Sequence, residues 1–386
     1  MKNPRILFIT PLPPPVHGSA MVSQYIKDSL LVREVFDCDF VNLSTSRRMD
    51  EIGKGGVKKL LRFVRAYFAV FFKLLTHRYD LCYLAITCHG MGFLKDAPFV
   101  LLCKLFGRKV VIHQHNKGMS NCVDRWPYRW LLPLVYKNTK VILLSWYLYP
   151  DIEKVVKREQ VIICPNGIPS LGNDLQSTVY SQQTLSYGNI TYNTQHIAQS
   201  VPRLLFLSNL IPSKGVYVLL DACKVLKEKG LKFVCDFIGG ETKEISRTIF
   251  ETAVRERGLE DIVCFQGPKY GEEKNQCFEQ ADIFVFPTFY YNECFPLVLL
   301  EAMQWSLPLV SSDEGGIPDI IKDGVNGFIC KREDSQSLAA ALEKLIIDPN
   351  LRQQMGERGY ERYKEGFTLS SFEHKFVEVI QNCLNA

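Results

Sequence analysis

Glu293 and Glu301 stand on either side of a predicted helix start, in the stretch YYNECFPLVLLEAMQW from Tyr290 to Trp305. The apolar run Ile283–Pro287 before them reads as a buried strand entering a loop. Pro296 suits the first turn of a helix, where its missing N–H costs nothing, and Leu297–Met303 supply the helix body. The turn through Phe295, Pro296, Leu297 and Val298 thus offers unpaired backbone N–H groups and a positive dipole end beyond a strand's carboxyl end. An open α/β sheet binds ligands there, and an anion is welcome. Two acids beside such a place suit a ligand with a phosphate end and a hydroxyl-rich end: amides take the phosphate and carboxylates accept from hydroxyls. A loop acid beside a helix with one exposed Glu is the plain structural reading of the same residues.

Other groups fit that chemistry. Lys214, in Ser213-Lys214-Gly215 after a predicted strand, places a cation at a helix start, where it would meet phosphate oxygens. His113 and His115 lie at the carboxyl end of the run Lys109–His113, and an imidazole there can donate to or accept from hydroxyls. His113 reads as the packing residue of the two, though either could reach into a cleft. The Pro-rich turn ending Pro15-Val16-His17-Gly18 follows the first strand and lets a ligand approach backbone at Gly18. It is not GxGxxG, which argues against a dinucleotide fingerprint. No Cys/His spacing suggests a metal.

The elements that must hold these groups alternate. Arg5–Thr10, Phe36–Asn42, Leu81–Ile86, Lys109–His113, Lys140–Leu144 and Val161–Cys164 read as strands with helical spans between. The rhythm restarts with strands at Arg203–Asn209, Phe233–Gly239, Ile262–Gln266 and Leu309–Ser312, while Gly324–Gly327 reads as a turn. Helices at Ser335–Ile347, Leu351–Lys364 and Ser370–Cys383 close the chain. The expected divisions are an N-terminal Rossmann-like domain over 1–169, a Gln/Asn/Ser-rich connection over 170–200, a second Rossmann-like domain over 201–368, and a terminal helix over 369–386. A length of 386 residues suits two α/β domains, and 47% hydrophobic with 23% charged residues is ordinary for a globular protein. The net charge of +5 is too mild to argue for nucleic acid. Thirteen Cys without a CxxC pair read as reduced core residues, and the N-terminus runs straight into a strand, so a cytoplasmic setting is expected.

Val57–Thr76, VKKLLRFVRAYFAVFFKLLT, is the longest odd feature. At about 100° per residue Lys58, Arg62, Arg65, Ala69 and Lys73 share a narrow stripe, with Leu61, Phe68 and Phe72 close beside it. The apolar arc is wider than one sheet face needs, and no acid lies between Lys54 and Arg78. Burial among helices explains it in one way. An interfacial anchor explains it in another, with basic side chains on anionic headgroups and Phe and Leu in the boundary.

E-C-F-P-L-V-L-L-E-A-M resembles the E-x7-E signature of the family 4 retaining glycosyltransferases, or glycosyl transferases group 1. The resemblance implies an α/β chain of GT-B-like form, two Rossmann-type doubly wound parallel-sheet domains facing across a cleft. It implies a nucleotide-sugar donor, UDP- or GDP-linked, with no cofactor or metal required. By the same resemblance Glu293 binds the sugar ring, Glu301 the ribose, and His115 the sugar near its reacting carbon. Lys214 and the amides of Phe295–Val298 grip the diphosphate. The family usually has Arg in a pattern like G-R-x4-K-G; here Ser208-Asn209 stands in its place, so Asn209 brings a donor group without charge. A glycan or lipid-linked acceptor, in surface polysaccharide or glycolipid assembly, is expected. An anionic membrane surface at the inner face of the plasma membrane goes with it; no nucleic acid does. A sugar-nucleotide epimerase and a non-catalytic sugar-nucleotide-binding protein would share the architecture.

Overall fold

The computed structural model describes residues 3–15, 17–44, 56–171 and 201–385. They form two units: one takes the chain up to Pro169 and again from Thr368 onward, the other the segment ending at Phe367. Most of the connection expected over 170–200, from 172 on, lies outside the described residues.

The first unit is a six-stranded parallel sheet built from β1 (Arg5–Thr10), β2 (Asp37–Asn42), β3 (Leu81–Ile86), β4 (Lys109–Gln114), β5 (Lys140–Leu143) and β6 (Val161–Ile163), in the order β2-β1-β3-β4-β5-β6. Its central strands are near-continuous apolar runs because helices cover both faces: every residue of β3 is buried, and every residue of β4 but the first. The helices are α1 (Gly18–Asp28), α2 (Leu30–Val35), α3 (Val57–Thr76), α4 (Gly90–Leu105) and α5 (Tyr128–Tyr136). The chain's last helix, Leu369–Asn385, also belongs here. Its Phe372, Phe376 and Ile380 are buried in one cluster with Phe8, Tyr83 and Val111, and the Phe376 ring stands edge-on to Tyr83 at 5.4 Å.

The second unit repeats the plan with β7 (Arg203–Leu207), β8 (Val234–Ile238), β9 (Val263–Gly267), β10 (Ile283–Phe286), β11 (Leu309–Ser312) and β12 (Gly327–Cys330), ordered β12-β11-β10-β7-β8-β9. The turn expected over Gly324–Gly327 is present, the Gly324 N–H donating to the Gly327 carbonyl at 2.8 Å, and strand β12, which the sequence reading did not include, follows it. Its four residues are too short a run to show period-two alternation, yet they pair in register with β11 from Leu309↔Gly327 to Ser312↔Cys330. The helices are α6 (Val216–Glu228), α7 (Arg247–Glu256), α8 (Gly271–Glu279), α9 (Leu297–Gln304), α10 (Ile317–Ile320), α11 (Ser335–Ile347) and α12 (Pro349–Gly366), so the terminal helix is α13.

Strand order fixes where each unit can bind. In the second unit β7 and β10 are neighbours, yet the chain leaves β7 toward β8 and leaves β10 toward β11. Their exit loops diverge and open a crevice at the carboxyl ends, a topological switch point. In the first unit β1 and β3 stand in the same relation.

Truncating Phe376 would leave a cavity between α13 and β1/β3. Phe376→Ala is expected to cost the first unit about 3–5 kcal/mol, read as loss of hydrogen-exchange protection in β1 and β3 with β7 and β10 unchanged. Equal protection in both proteins would show that α13 adds nothing to that core.

Candidate functional site

The loops leaving β7 and β10 are pinned together. After β7 the chain makes a 3-10 turn at Pro212–Lys214 and enters α6 through Gly215. Gly215 has φ +87°, and a Cβ on it would stand 2.2 Å from the Pro287 carbonyl oxygen, so only glycine allows the approach. The Phe289 N–H donates to the Ser213 carbonyl at 2.8 Å, tying the β10 exit to the same turn. The Glu293 N–H then closes a turn onto the Tyr290 carbonyl, also at 2.8 Å. On the far side Gly315 lies against the Glu293 carbonyl, where a Cβ would sit 2.2 Å away, and the Gly316 N–H donates to Cys294 O at 2.7 Å.

This framework puts Lys214 Nζ 2.5 Å from Glu293 Oε2, with side chains only 15% and 12% exposed. The ammonium also lies 4.4 Å from the Tyr290 ring centroid and 5.4 Å from that of Phe286. A cation held by one carboxylate over two aromatic faces is pre-ordered for an anion that can displace that carboxylate.

Helix α9 begins as expected, with one shift: Pro296 is the N-cap residue rather than part of the first turn. No side chain caps it, and the N–H groups of Leu297 and Val298 have no carbonyl one turn back inside the helix. Phe295 is buried with its ring 5.9 Å from Phe367, so only its backbone can serve a ligand. Glu301, in the second turn of α9, pairs with Lys274 Nζ of α8 at 2.9 Å. Each acid of the stretch therefore carries a lysine from another element. Unpaired carboxylates beside an anion site would repel the anion.

Lys274 escaped the sequence reading. Its partner lies 27 positions away on another helix, and nothing in GEEKNQCFE marks one lysine for it. Asn209 is exposed, and its side-chain oxygen accepts the Gly240 N–H at 3.1 Å, leaving the carboxamide NH2 as its donor end.

His115 and Gly18 belong to the first unit. Gly18 opens α1, nothing lies within 4 Å of where a Cβ would be, and His17 caps the helix by accepting from the Ala20 N–H. His113 is fully buried with Nδ1 2.7 Å from Tyr83 Oη, a core histidine. His115 follows β4, its ring 4.0 Å from that of His113, with its Nε2 covered and without a hydrogen-bond partner. Burial, then the nearby His17, pushes the His115 imidazole down to about 3. Burial, then His115, holds His113 well below the usual histidine range. Both rings are neutral at pH 7. Among the described residues, no three His, Cys, Asp or Glu side chains are gathered as a metal site.

The α3 residues divide. Lys58, Arg65, Phe68 and Phe72 are exposed and Arg62 is half-buried. Lys73 is a correction: its ammonium turns to Asp39 of β2, Nζ to Oδ1 2.6 Å, in a cluster with Arg5 and Tyr79, so it does not face outward. The stripe read from helical periodicity continued to Lys73 because an acid on a different strand is invisible to that periodicity.

Residues 193–362 match the family model described as "Glycosyl transferases group 1". Over that segment the chain is similar to glycosyl transferases group 1. The chain is 37% identical over 147 residues to the amylovoran biosynthesis glycosyltransferase AmsK of Erwinia amylovora, covering 37% of this chain and 35% of that one. It is 26% identical over 237 residues to the N-acetyl-alpha-D-glucosaminyl L-malate synthase of Bacillus anthracis, covering 60% and 59%. The matches thus span between about a third and three fifths of these relatives' lengths. Among solved structures, Anabaena Alr3699/HepE, in complex with UDP, superimposes with a TM-score of 0.72 at 16% identity, over 98% of this chain and 100% of that one. That likeness shows the GT-B fold.

Fully buried His113 and half-buried His115 are expected to make the first unit acid-sensitive. Their folded pKa values lie below the unfolded value near 6.5, so the unfolded state binds more protons. Stability is therefore full above about pH 7 and falls as pH drops through 6.5 toward 3, by up to about 1.4 kcal/mol per pH unit for each ring. Protection of β3 and β4 amides is expected to fall between pH 7.5 and 5, and His115→Gln to flatten that slope. An unchanged slope in the variant would contradict the assignment.

Proposed function

We propose that this chain is a retaining glycosyltransferase that moves a sugar from a UDP- or GDP-sugar to a glycan or lipid-linked acceptor. Surface polysaccharide or glycolipid assembly is its setting, as amylovoran biosynthesis is for AmsK. The observation that carries the reading is the meeting of Lys214 and Glu293 at the β7/β10 switch point, beside the uncapped mouth of α9. HepE's complex with UDP supports the donor class.

In this reading the arriving diphosphate takes Lys214 from Glu293. The ammonium, the Asn209 carboxamide and the amides of Phe295, Leu297 and Val298 then hold the phosphates, with Pro296 setting the turn. They stabilise the charge that develops as the glycosidic bond breaks, which is electrostatic catalysis of the oxyanion-hole type. The released Glu293 accepts from sugar hydroxyls and orients the reacting carbon, while Glu301, steadied by Lys274, accepts from the ribose. The resemblance assigns His115 and Gly18 to the sugar and acceptor side. A neutral His115 there serves as a hydrogen-bond partner rather than a cation. No side chain is placed as a nucleophile; the donor phosphate takes the acceptor's proton as the new bond forms on the same face. This ammonium and these amides do the work a divalent metal does elsewhere. A lipid-linked acceptor would bring the chain to the inner face of the plasma membrane, where Lys58, Arg62, Arg65, Phe68 and Phe72 of α3 meet anionic headgroups and the acyl boundary.

One observation favours a second reading. Asn209 stands where the family's pattern has Arg, which would suit a protein that binds a sugar nucleotide without transferring from it.

A thermal-shift screen against UDP-, GDP- and ADP-sugars identifies the donor, and turnover of that donor separates the two readings. Glu293→Ala is expected to reduce transfer about a thousandfold, in line with loss of a group aimed at the reacting centre, in a variant that still folds and binds nucleotide although its melting temperature falls because Lys214 loses its partner. Wild-type turnover in that variant removes Glu293 from the mechanism. Lys274→Met is expected to weaken nucleotide binding about fivefold, an effect of about 1 kcal/mol, with Lys274→Arg restoring it. Equal calorimetric affinity in all three proteins would reduce Lys274 to a surface pair.

A further inference from the structure

The outer surface of the first unit's α3–α4–α5 layer is apolar and basic across all three helices. α4 lies between the other two: Phe63 and Tyr67 of α3 stand edge-on to Phe99 of α4 at 5.5 and 5.7 Å, and Lys104 of α4 donates to the Leu134 and Val135 carbonyls of α5. These contacts use the inward sides, and what remains outside is unusual for a water-facing surface. Of the twenty-one exposed large apolar side chains among the described residues, twelve lie here: seven on α3, two on α4, and three at or just before α5. Met91 and Leu105 at the two ends of α4 are 78% and 81% exposed; Trp126 and Trp130, one turn apart at α5, are 81% and 67%.

The charges on this face are predominantly basic. Residues 56–79 contain no acid, and Lys58 and Arg65 are exposed among the apolar residues of α3. Arg125 and Arg129 flank the tryptophans, the Arg129 guanidinium lying 4.9 Å from the Trp130 ring centroid. Two acids lie nearby: Asp96 of α4 is buried and accepts from the Thr87 N–H, and the exposed Asp124 pairs with Lys154 at 3.1 Å. A second copy fits badly, because a two-fold contact would set Lys and Arg against Lys and Arg. Large apolar residues with Trp at the rim, basic residues interleaved and a clear excess of basic over acidic side chains match the boundary of an anionic bilayer.

We infer that the α3–α4–α5 face as a whole, with Trp126 and Trp130 at its α5 edge, seats the protein on an anionic phospholipid bilayer. This goes beyond α3 acting alone and does not depend on sugar transfer. The test is co-sedimentation of the full chain with phosphatidylglycerol/phosphatidylcholine vesicles and with pure phosphatidylcholine vesicles, at low and high salt. The variants are Trp126→Ser/Trp130→Ser for the α5 edge and Phe68→Ser/Phe72→Ser for α3. Wild type should bind the anionic vesicles and release in salt, and each variant pair should lower partitioning about tenfold or more, since binding scales with buried apolar area. Unchanged binding in the α5 pair would overturn the three-helix face. So would absence of vesicle binding, or dimers in light scattering that the same pair dissolves. All four changed residues are exposed, so unchanged melting temperatures and nucleotide thermal shifts certify folding. A wild type that binds vesicles but no nucleotide would count against the donor reading alone.

Discussion

A lysine from one loop and a glutamate from another form an ion pair at the carboxyl end of the second unit's sheet, and the local structure is arranged around that contact. It requires β7 and β10 to be neighbours, and it requires Gly215 and Gly315 to let backbone come within a distance that any Cβ would forbid. Both ions are mostly covered, so each has lost much of its hydration, and breaking such a pair by removing one partner leaves an uncompensated charge costing several kcal/mol. The pair therefore suits a ligand that brings its own negative charge: the anion replaces the carboxylate on Lys214, and sugar hydroxyls can replace the lysine on Glu293. An uncharged ligand has no comparable way in.

Much of this was legible in the chain because it is local. The run into Pro287, the two acids with seven residues between them, the helix after Pro296 and the Lys-Gly pair at 214–215 are all written within a few residues of one another. What stayed hidden depends on which elements become neighbours. Lys274 meets Glu301 because α8 and α9 pack, Gly315 clamps Glu293 because β11 lies beside β10, and Lys73 turns inward because β2 offers Asp39. Strand β12 and the seat of α13 on β1 and β3 follow the same rule: short or amphipathic segments declare their type, whereas their partners are set by topology.

The first unit shows the converse problem, how a surface is left over. Helical periodicity in α3 reports an apolar arc too wide for one sheet face, but it does not say which part of the arc is covered. Packing decides: Phe63, Tyr67, Phe71 and Leu74 turn inward, leaving Phe68, Phe72 and Leu75 outside. The same division runs through α4 and α5, whose sequences look ordinary when read alone. Water-exposed apolar area on this scale favours association, while interleaved charge that is predominantly basic opposes association with itself. A negatively charged, partly apolar boundary satisfies both at once.

Asn209 is the place where these arguments press hardest. A guanidinium there would give the diphosphate a bidentate, always-charged partner. The carboxamide offers one donor end, because its oxygen is engaged by Gly240. The shortfall of one charge-assisted bond, roughly 1.5–3 kcal/mol, must be met by Lys214 and the α9 amides if affinity is to be kept. Lys214 is well placed for it: two aromatic faces hold the ammonium after Glu293 lets go, so the cation need not be re-ordered when the anion arrives. Pre-ordering of this kind reduces the entropy lost on binding, and in the proposed reading it would let a single lysine act where the family's pattern has two cations.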